Sequence, residues 1–253
     1  MKKGFSIRKE IKVAFALLGL SFLIAFAERK QGGAVCKNIS VEIENLNENH
    51  FLDEADVKKL VETSGETIKG IGIDRINLKD IEKKLKYDKH ILDAELFGDL
   101  KGNLVVNVEL RRPIARIVQS DAPDAYIAED GVIMPVSEKY TSRVLLISGH
   151  VKPLLESEDL NKTEEGKQLL EMIEYINADR FWKAQVAQLD IDRSGRVDIF
   201  PQVTGQQVEF GKPENIELKF KKLMVFYKEI LPARGWTRYE RVNLEYEGQV
   251  IAE

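Results

Sequence analysis

Leu104-Val105-Val106-Asn107-Val108-Glu109-Leu110-Arg111-Arg112-Pro113-Ile114-Ala115-Arg116 is the stretch that decides the fold. Leu104, Val106, Val108 and Leu110 alternate with Val105, Asn107 and Glu109. A period of two is the pattern of a strand with one buried face. Pro113 ends that pattern, because proline has no N–H to give a central ladder and so marks a strand edge or bend.

Upstream, Gly98-Asp99-Leu100-Lys101-Gly102-Asn103 is turn chemistry, and the preceding strand runs from about Ile91 to Phe97. Asn77 is placed to cap a helix with Leu78, Ile81 and Leu85 on one face. Asp53 is placed to cap another, with Glu54 and Asp56 in its first turn, Val57, Leu60 and Val61 as its apolar stripe, and Gly65 as its stop. Ile39, Val41 and Ile43 alternate with Ser40, Glu42 and Glu44 as a first strand. The order is strand, helix, helix, strand, strand. Residues 38–112 are therefore expected to fold independently, as two helices on one face of a three-stranded sheet.

Downstream, 113–253 reads as a mixed β domain with flanking helices, so the fold class is α+β. Strand-like segments fall at Ala115–Val118, Ala125–Ala128 and Arg143–Ile147, with Glu129-Asp130-Gly131 as a turn. Thr163 begins a helix carrying Leu169, Leu170, Ile173 and Ile176. Phe181 and Trp182 lead into a hairpin of Val186–Ile191 and Val197–Phe200, joined at Arg193-Ser194-Gly195. Gln207–Phe210 is a further strand. Ile216, Phe220, Leu223, Tyr227 and Ile230 mark a helix that ends before Pro232. Val242, Leu244, Tyr246, Gly248 and Val250 then alternate with Asn243, Glu245, Glu247 and Gln249, which predicts one long terminal strand. Tyr246 falls with the apolar set.

The N-terminus is organised differently. Lys2, Lys3, Arg8, Lys9 and Lys12 precede an apolar run of 15 residues, Val13 to Ala27. Cations before an apolar run are the charge order of a segment inserted with its N-terminus in the cytoplasm. The run spans roughly 22 Å as a helix, short against a hydrocarbon core of about 30 Å. Ile11 lengthens it if Lys12 snorkels, and Arg29 and Lys30 reach the far headgroups. Ala25-Phe26-Ala27 also fits a signal-peptide cleavage site. Both readings, anchor and cleaved signal, place the rest of the chain outside the cytoplasmic membrane.

The composition supports a packed core: 43% of the 253 residues are hydrophobic and 32% charged. A net charge of −4 gives no basic surface for nucleic acid. The single cysteine, Cys36, rules out an intrachain disulfide. No catalytic, cofactor or metal motif emerges. His50, His90 and His150 lie far apart in sequence, and neither a Gly-rich phosphate loop nor a G-x-S-x-G elbow occurs. Asp190-Ile191-Asp192-Arg193-Ser194-Gly195 resembles half a calcium loop, but its twelfth position is Pro201 and not the bidentate glutamate such a site needs. Arg111, Arg112 and Arg116 form a cationic cluster, a candidate interdomain or anionic contact whose bland alternative is a solvated turn.

Taken together, these features resemble the FtsQ/DivIB family of bacterial cell-division proteins, in wording closest to the Bacteroidetes branch. The residues carrying the resemblance are the basic tail and span followed by Phe26-Ala27-Glu28-Arg29-Lys30-Gln31, then Ile39–Ile43 and Phe51-Leu52-Asp53-Glu54. Further along they are Glu109-Leu110-Arg111-Arg112-Pro113-Ile114-Ala115-Arg116, Tyr126-Ile127-Ala128-Glu129-Asp130-Gly131, Met134-Pro135-Val136-Ser137 and Asn243-Leu244-Glu245-Tyr246. The resemblance implies a cytoplasmic tail at 1–10, a transmembrane anchor at 11–30, a POTRA domain at 38–112 and the family's β domain at 113–253. It implies a non-catalytic divisome scaffold of the inner membrane, periplasmic for most of its length and placed at the septum. Its partners would be FtsB–FtsL type proteins, held by strand addition at Leu244-Glu245-Tyr246-Glu247-Gly248-Gln249-Val250. The alternative, since POTRA domains also occur there, is a component of outer-membrane assembly or secretion.

Overall fold

The structure is a computed structural model that describes residues 16–22, 35–64, 68–99, 101–203 and 205–253. It divides into two compact units. One comprises the chain up to Glu44 with Asp53–Glu109, the other Asn45–Leu52 with Leu110–Glu253. The expected anchor at 11–30 lies mostly outside the described residues, which include a helical stretch at 16–22. Among the described residues, no helix is long and apolar enough to cross a membrane.

The first unit contains β1 (Asn38–Ile43), α1 (Glu54–Glu62), α2 (Leu78–Leu85), β2 (Ile91–Gly98) and β3 (Asn103–Leu110). Its sheet has the order β1-β3-β2, with β1 parallel to β3. Asp53 caps α1 in a reciprocal box: its carboxylate accepts the Asp56 N–H at 2.9 Å, and the Asp56 carboxylate accepts the Asp53 N–H at 3.0 Å. The Asn77 side chain accepts the Asp80 N–H at 3.3 Å and starts α2. Helix α1 closes at Thr63, whose hydroxyl donates to the Lys59 carbonyl at 2.8 Å; Gly65 lies outside the described residues. Val57, Val61, Ile81 and Leu85 from the helices are buried, as are Leu104, Val106 and Val108 from β3. This is the predicted strand, helix, helix, strand, strand unit.

The second unit is built on one mixed sheet. Its elements are β4 (Pro113–Ile117), β5 (Ala125–Ala128), β6 (Ile133–Pro135), β7 (Leu145–Gly149), α3 (Lys152–Ser157), α4 (Glu164–Ala178), α5 (Arg180–Gln185), β8 (Val186–Ile191), β9 (Val197–Pro201), β10 (Gln207–Gly211), α6 (Ile216–Val225), α7 (Leu231–Arg234), β11 (Arg241–Asn243) and β12 (Ile251–Ala252). The strand order is β12-β11-β10-β9-β8-β7-β4-β5-β6. β4, β7 and β8 run parallel, as do β10 and β11. Pro113 sits at the first position of β4, where a missing N–H costs least. The main core joins Ile117, Ile147, Leu189, Ile199, Val208 and Val242 from the strands to Ile173, Trp182 and Phe220 from the helices.

Two helical expectations need correction. Phe181 and Trp182 do not merely lead into a strand. They form α5, which Asp179 caps by accepting the Phe181 and Trp182 N–H groups at 2.8 and 3.0 Å. The helix from Ile216 does not end before Pro232. It passes through a π turn at Phe226–Ile230 into α7, which contains Pro232.

Strand β5 is buried at all four positions, because both its faces are covered. Ala125 and Ile127 enter the main core, while Tyr126 and Ala128 meet Phe51 and Met134 on the other side, with Tyr140 and Val144 packed against them. Phe51 arrives on the strap Asn45–Leu52. Its ring lies 5.1 Å from both Tyr126 and Tyr140, edge-on to each, a favoured aromatic geometry. Two buried asparagines fasten the strap to the backbone before β4. The Asn45 amide donates to the Leu110 carbonyl at 2.7 Å and accepts the Leu110 N–H at 3.0 Å. The Asn49 amide donates to the Arg111 carbonyl at 2.7 Å.

Candidate functional site

The C-terminal edge of the second unit's sheet differs from its sequence reading. Residues 244–250 are not a continuation of β11. β11 pairs in parallel with β10, Val208 opposite Val242, and the Leu244 N–H makes the last bond to the Glu209 carbonyl at 3.0 Å. β10 runs two residues past Glu209 to Gly211, but β11 leaves the ladder after Leu244. The chain turns at Tyr246-Glu247-Gly248, with Gly248 at φ +69°, where glycine is favoured. It returns as β12, antiparallel to β11, with Ala252 opposite Val242.

The hairpin preserves the parity of the sequence pattern. Pairing 242 with 252 puts even-numbered residues of both arms on one face. Val242 and Leu244 are buried, and Val250 and Ala252 pack against the same core. The alternation was real, but a period of two continues through a fold-back of this register just as it does through a straight strand. Tyr246, expected with the apolar set, lies in the turn and is 52% exposed.

The turn is fastened from below by α6. The Lys222 ammonium donates to the carbonyls of Leu244 and Tyr246 at 2.7 Å each and of Gln249 at 3.3 Å. An ammonium has three N–H donors, and here each has an acceptor. Burial pushes the Lys222 pKa down, and the nearby Glu247 carboxylate works against that. Glu245 pairs with Arg196, and its N–H donates to the Asn243 side chain at 2.9 Å. Arg241 pairs with Glu209, which also accepts the Asn243 amide at 2.6 Å. The exposed side chains of the predicted binding run are Tyr246, Glu247 and Gln249.

The ladder fixes which backbone groups face outward. Arg241 and Glu253 exchange both hydrogen bonds, at 3.2 and 3.0 Å. In an antiparallel pair the next opposed residues are then non-bonded to each other. Val242 is turned toward β10, and Ala252 presents its N–H and C=O away from the sheet. Among the described strands, β12 is the outermost on this side.

The other singled-out residues are engaged within the second unit. Arg111 pairs with Asp130 at 2.8 Å, Arg112 with Glu48 at 2.7 Å, and Arg116 with Asp124 at 2.6 Å. Asp192 closes its own turn, accepting the Ser194 hydroxyl at 2.7 Å and the Arg196 N–H at 3.0 Å. The Ser194 hydroxyl is the chief cause of its lowered pKa. Among the described residues, no group of His, Cys, Asp and Glu is arranged to hold a metal ion. Lys222 escaped the sequence reading because a lysine on a helix reads as solvated surface. The carbonyls it bonds lie 22 to 27 residues further along the chain, so no local pattern reveals them.

The FtsQ/DivIB, C-terminal related family model matches residues 112–253, more than half of the chain. The chain belongs to the FtsQ/DivIB C-terminal related family. A POTRA-like domain matches residues 34–109, over the first unit's five elements. No curated protein matches the chain. The chain is thus FtsQ-related, its family is generally non-catalytic, and the two domains point to a role in cell division. In this FtsQ/DivIB-related domain, the terminal hairpin forms one edge of the sheet, where Ala252 turns its backbone groups outward.

Proposed function

We propose that this protein is a non-catalytic scaffold of the divisome, held in the inner membrane by an anchor at 11–30 built on the apolar run Val13 to Ala27, with both units on the periplasmic side at the septum. It takes partners of the FtsB–FtsL type by strand addition to β12. The observation that carries this is the edge itself, a family-matched sheet ending in a strand whose Ala252 N–H and C=O point outward. Open edges are normally shielded, and a partner strand is one way to satisfy them. Tyr246 stands exposed beside that edge and offers apolar area and a hydroxyl to the same partner.

A fluorescent fusion of the full chain in dividing cells tests the placement. It is expected to gather at midcell as constriction begins, and to recruit an FtsB–FtsL type pair there. Uniform envelope fluorescence through division would contradict the reading. Accumulation around the whole outline together with β-barrel assembly proteins would favour the alternative role in outer-membrane assembly.

A further inference from the structure

We infer that Lys222 is a positioning residue for the partner edge: its ammonium fastens the turn of the terminal hairpin and so holds β12 in register. The inference rests on the reading of β12 as the partner-binding edge. It starts from a mismatch of size. β12 has two residues and β11 three, and β11 bonds β10 only as far as Leu244. An isolated two-stranded hairpin is marginal in water, so arms this short need support beyond their own ladder.

Lys222 supplies it from a different element. α6 is anchored in the core by Ile216, Phe220 and Leu223, which are buried. Its Lys222 therefore projects from a fixed base. The three carbonyls it holds belong to the start, middle and end of the turn, Leu244, Tyr246 and Gln249. One cation thereby ties both arms and the tip together. Bonds from a charged donor are about twice as strong as neutral ones. The Arg196–Glu245 pair holds only the first arm. Lys222 reaches both ends of the turn, where the β11–β12 ladder does not extend.

The test uses the full chain with Lys222→Met and Lys222→Arg. Methionine keeps the side chain's length and apolar stem and removes the donors; arginine keeps a charge and several donors. Hydrogen exchange is read at the Arg241 and Glu253 amides, which bond across the hairpin. Affinity is read with a purified FtsB–FtsL type pair. Lys222→Met is expected to speed exchange at both amides at least tenfold and weaken the pair's binding at least tenfold. Lys222→Arg is expected to recover part of both, with little change in the midpoint of global unfolding in either variant. Unchanged exchange in Lys222→Met would overturn the inference, and so would faster exchange with wild-type affinity. If the pair binds neither wild type nor variant, the partner reading of the edge fails. The positioning role fails with it, while exchange alone still decides whether Lys222 fastens the hairpin.

Discussion

Phe51→Ala is expected to destabilise the second unit by about 3–5 kcal/mol, the range for removing a buried phenylalanine. Phe51 is 1% exposed and is the strap's main apolar contribution to the cluster of Tyr126, Ala128 and Met134. Alanine there removes both edge-on ring contacts and leaves Tyr126 facing a cavity beside a strand that is buried on its other face as well. Little near the site can move to fill the space, because Asn45 and Asn49 tie the strap to the Leu110 and Arg111 backbone. Denaturant unfolding of the full chain measures the loss. Exchange at the Tyr126 and Ile127 amides should rise before that at Val106 in the first unit. A loss below about 1 kcal/mol would mean that the strap merely lies on the surface.

Gly149→Ala is expected to cost on the order of 3 kcal/mol, combining backbone strain with broken ladder bonds. Gly149 ends β7 at φ +90° and pairs with Ile191 of β8. A Cβ there would lie 2.2 Å from the Ile191 carbonyl oxygen and 2.8 Å from its nitrogen. Both are backbone atoms, so relief requires parting β7 from β8 near the middle of the sheet. The neighbouring His150 N–H, which donates to the same carbonyl at 2.6 Å, would be lost with it. Gly248→Ala is the matched control. Its φ of +69° carries strain, but nothing lies within 4 Å of its Cβ position, so it should cost only about 1–2 kcal/mol. Equal losses for the two in equilibrium denaturation would contradict this account.

The first unit was legible because each of its signals is local. Asp53 with Asp56 three residues on, Asn77 before Leu78, and the alternation of β3 each describe a few consecutive residues, and each appears where it was read. The second unit hides its organisation in contacts between distant segments. Phe51 stands next to a helix cap, so its position alone suggests a local role. Its partner Tyr126 lies 75 residues further along, and no sequence period links them. Pro232 looked like a stop because a π turn has no residue pattern to announce it. The terminal hairpin was invisible for a geometric reason: its register keeps even-numbered residues on one face before and after the turn. The run 244–250 reads as part of one straight strand, whereas the chain folds back within it. The outward backbone groups of the edge strand belong to Ala252, beyond the run 244–250.

If β12 is the strand to which a partner adds, the outward groups of Ala252 are where that addition is felt. The measurement is the affinity of a purified FtsB–FtsL type pair for the full chain and for Ala252→Pro, read by calorimetry beside each protein's unfolding midpoint. Proline at 252 removes an N–H that the hairpin itself does not use and places a ring where a partner strand would approach. The lost bond alone contributes about 1 kcal/mol. Binding is expected to weaken at least about fivefold with the midpoint unchanged. Wild-type affinity in Ala252→Pro would contradict strand addition at β12.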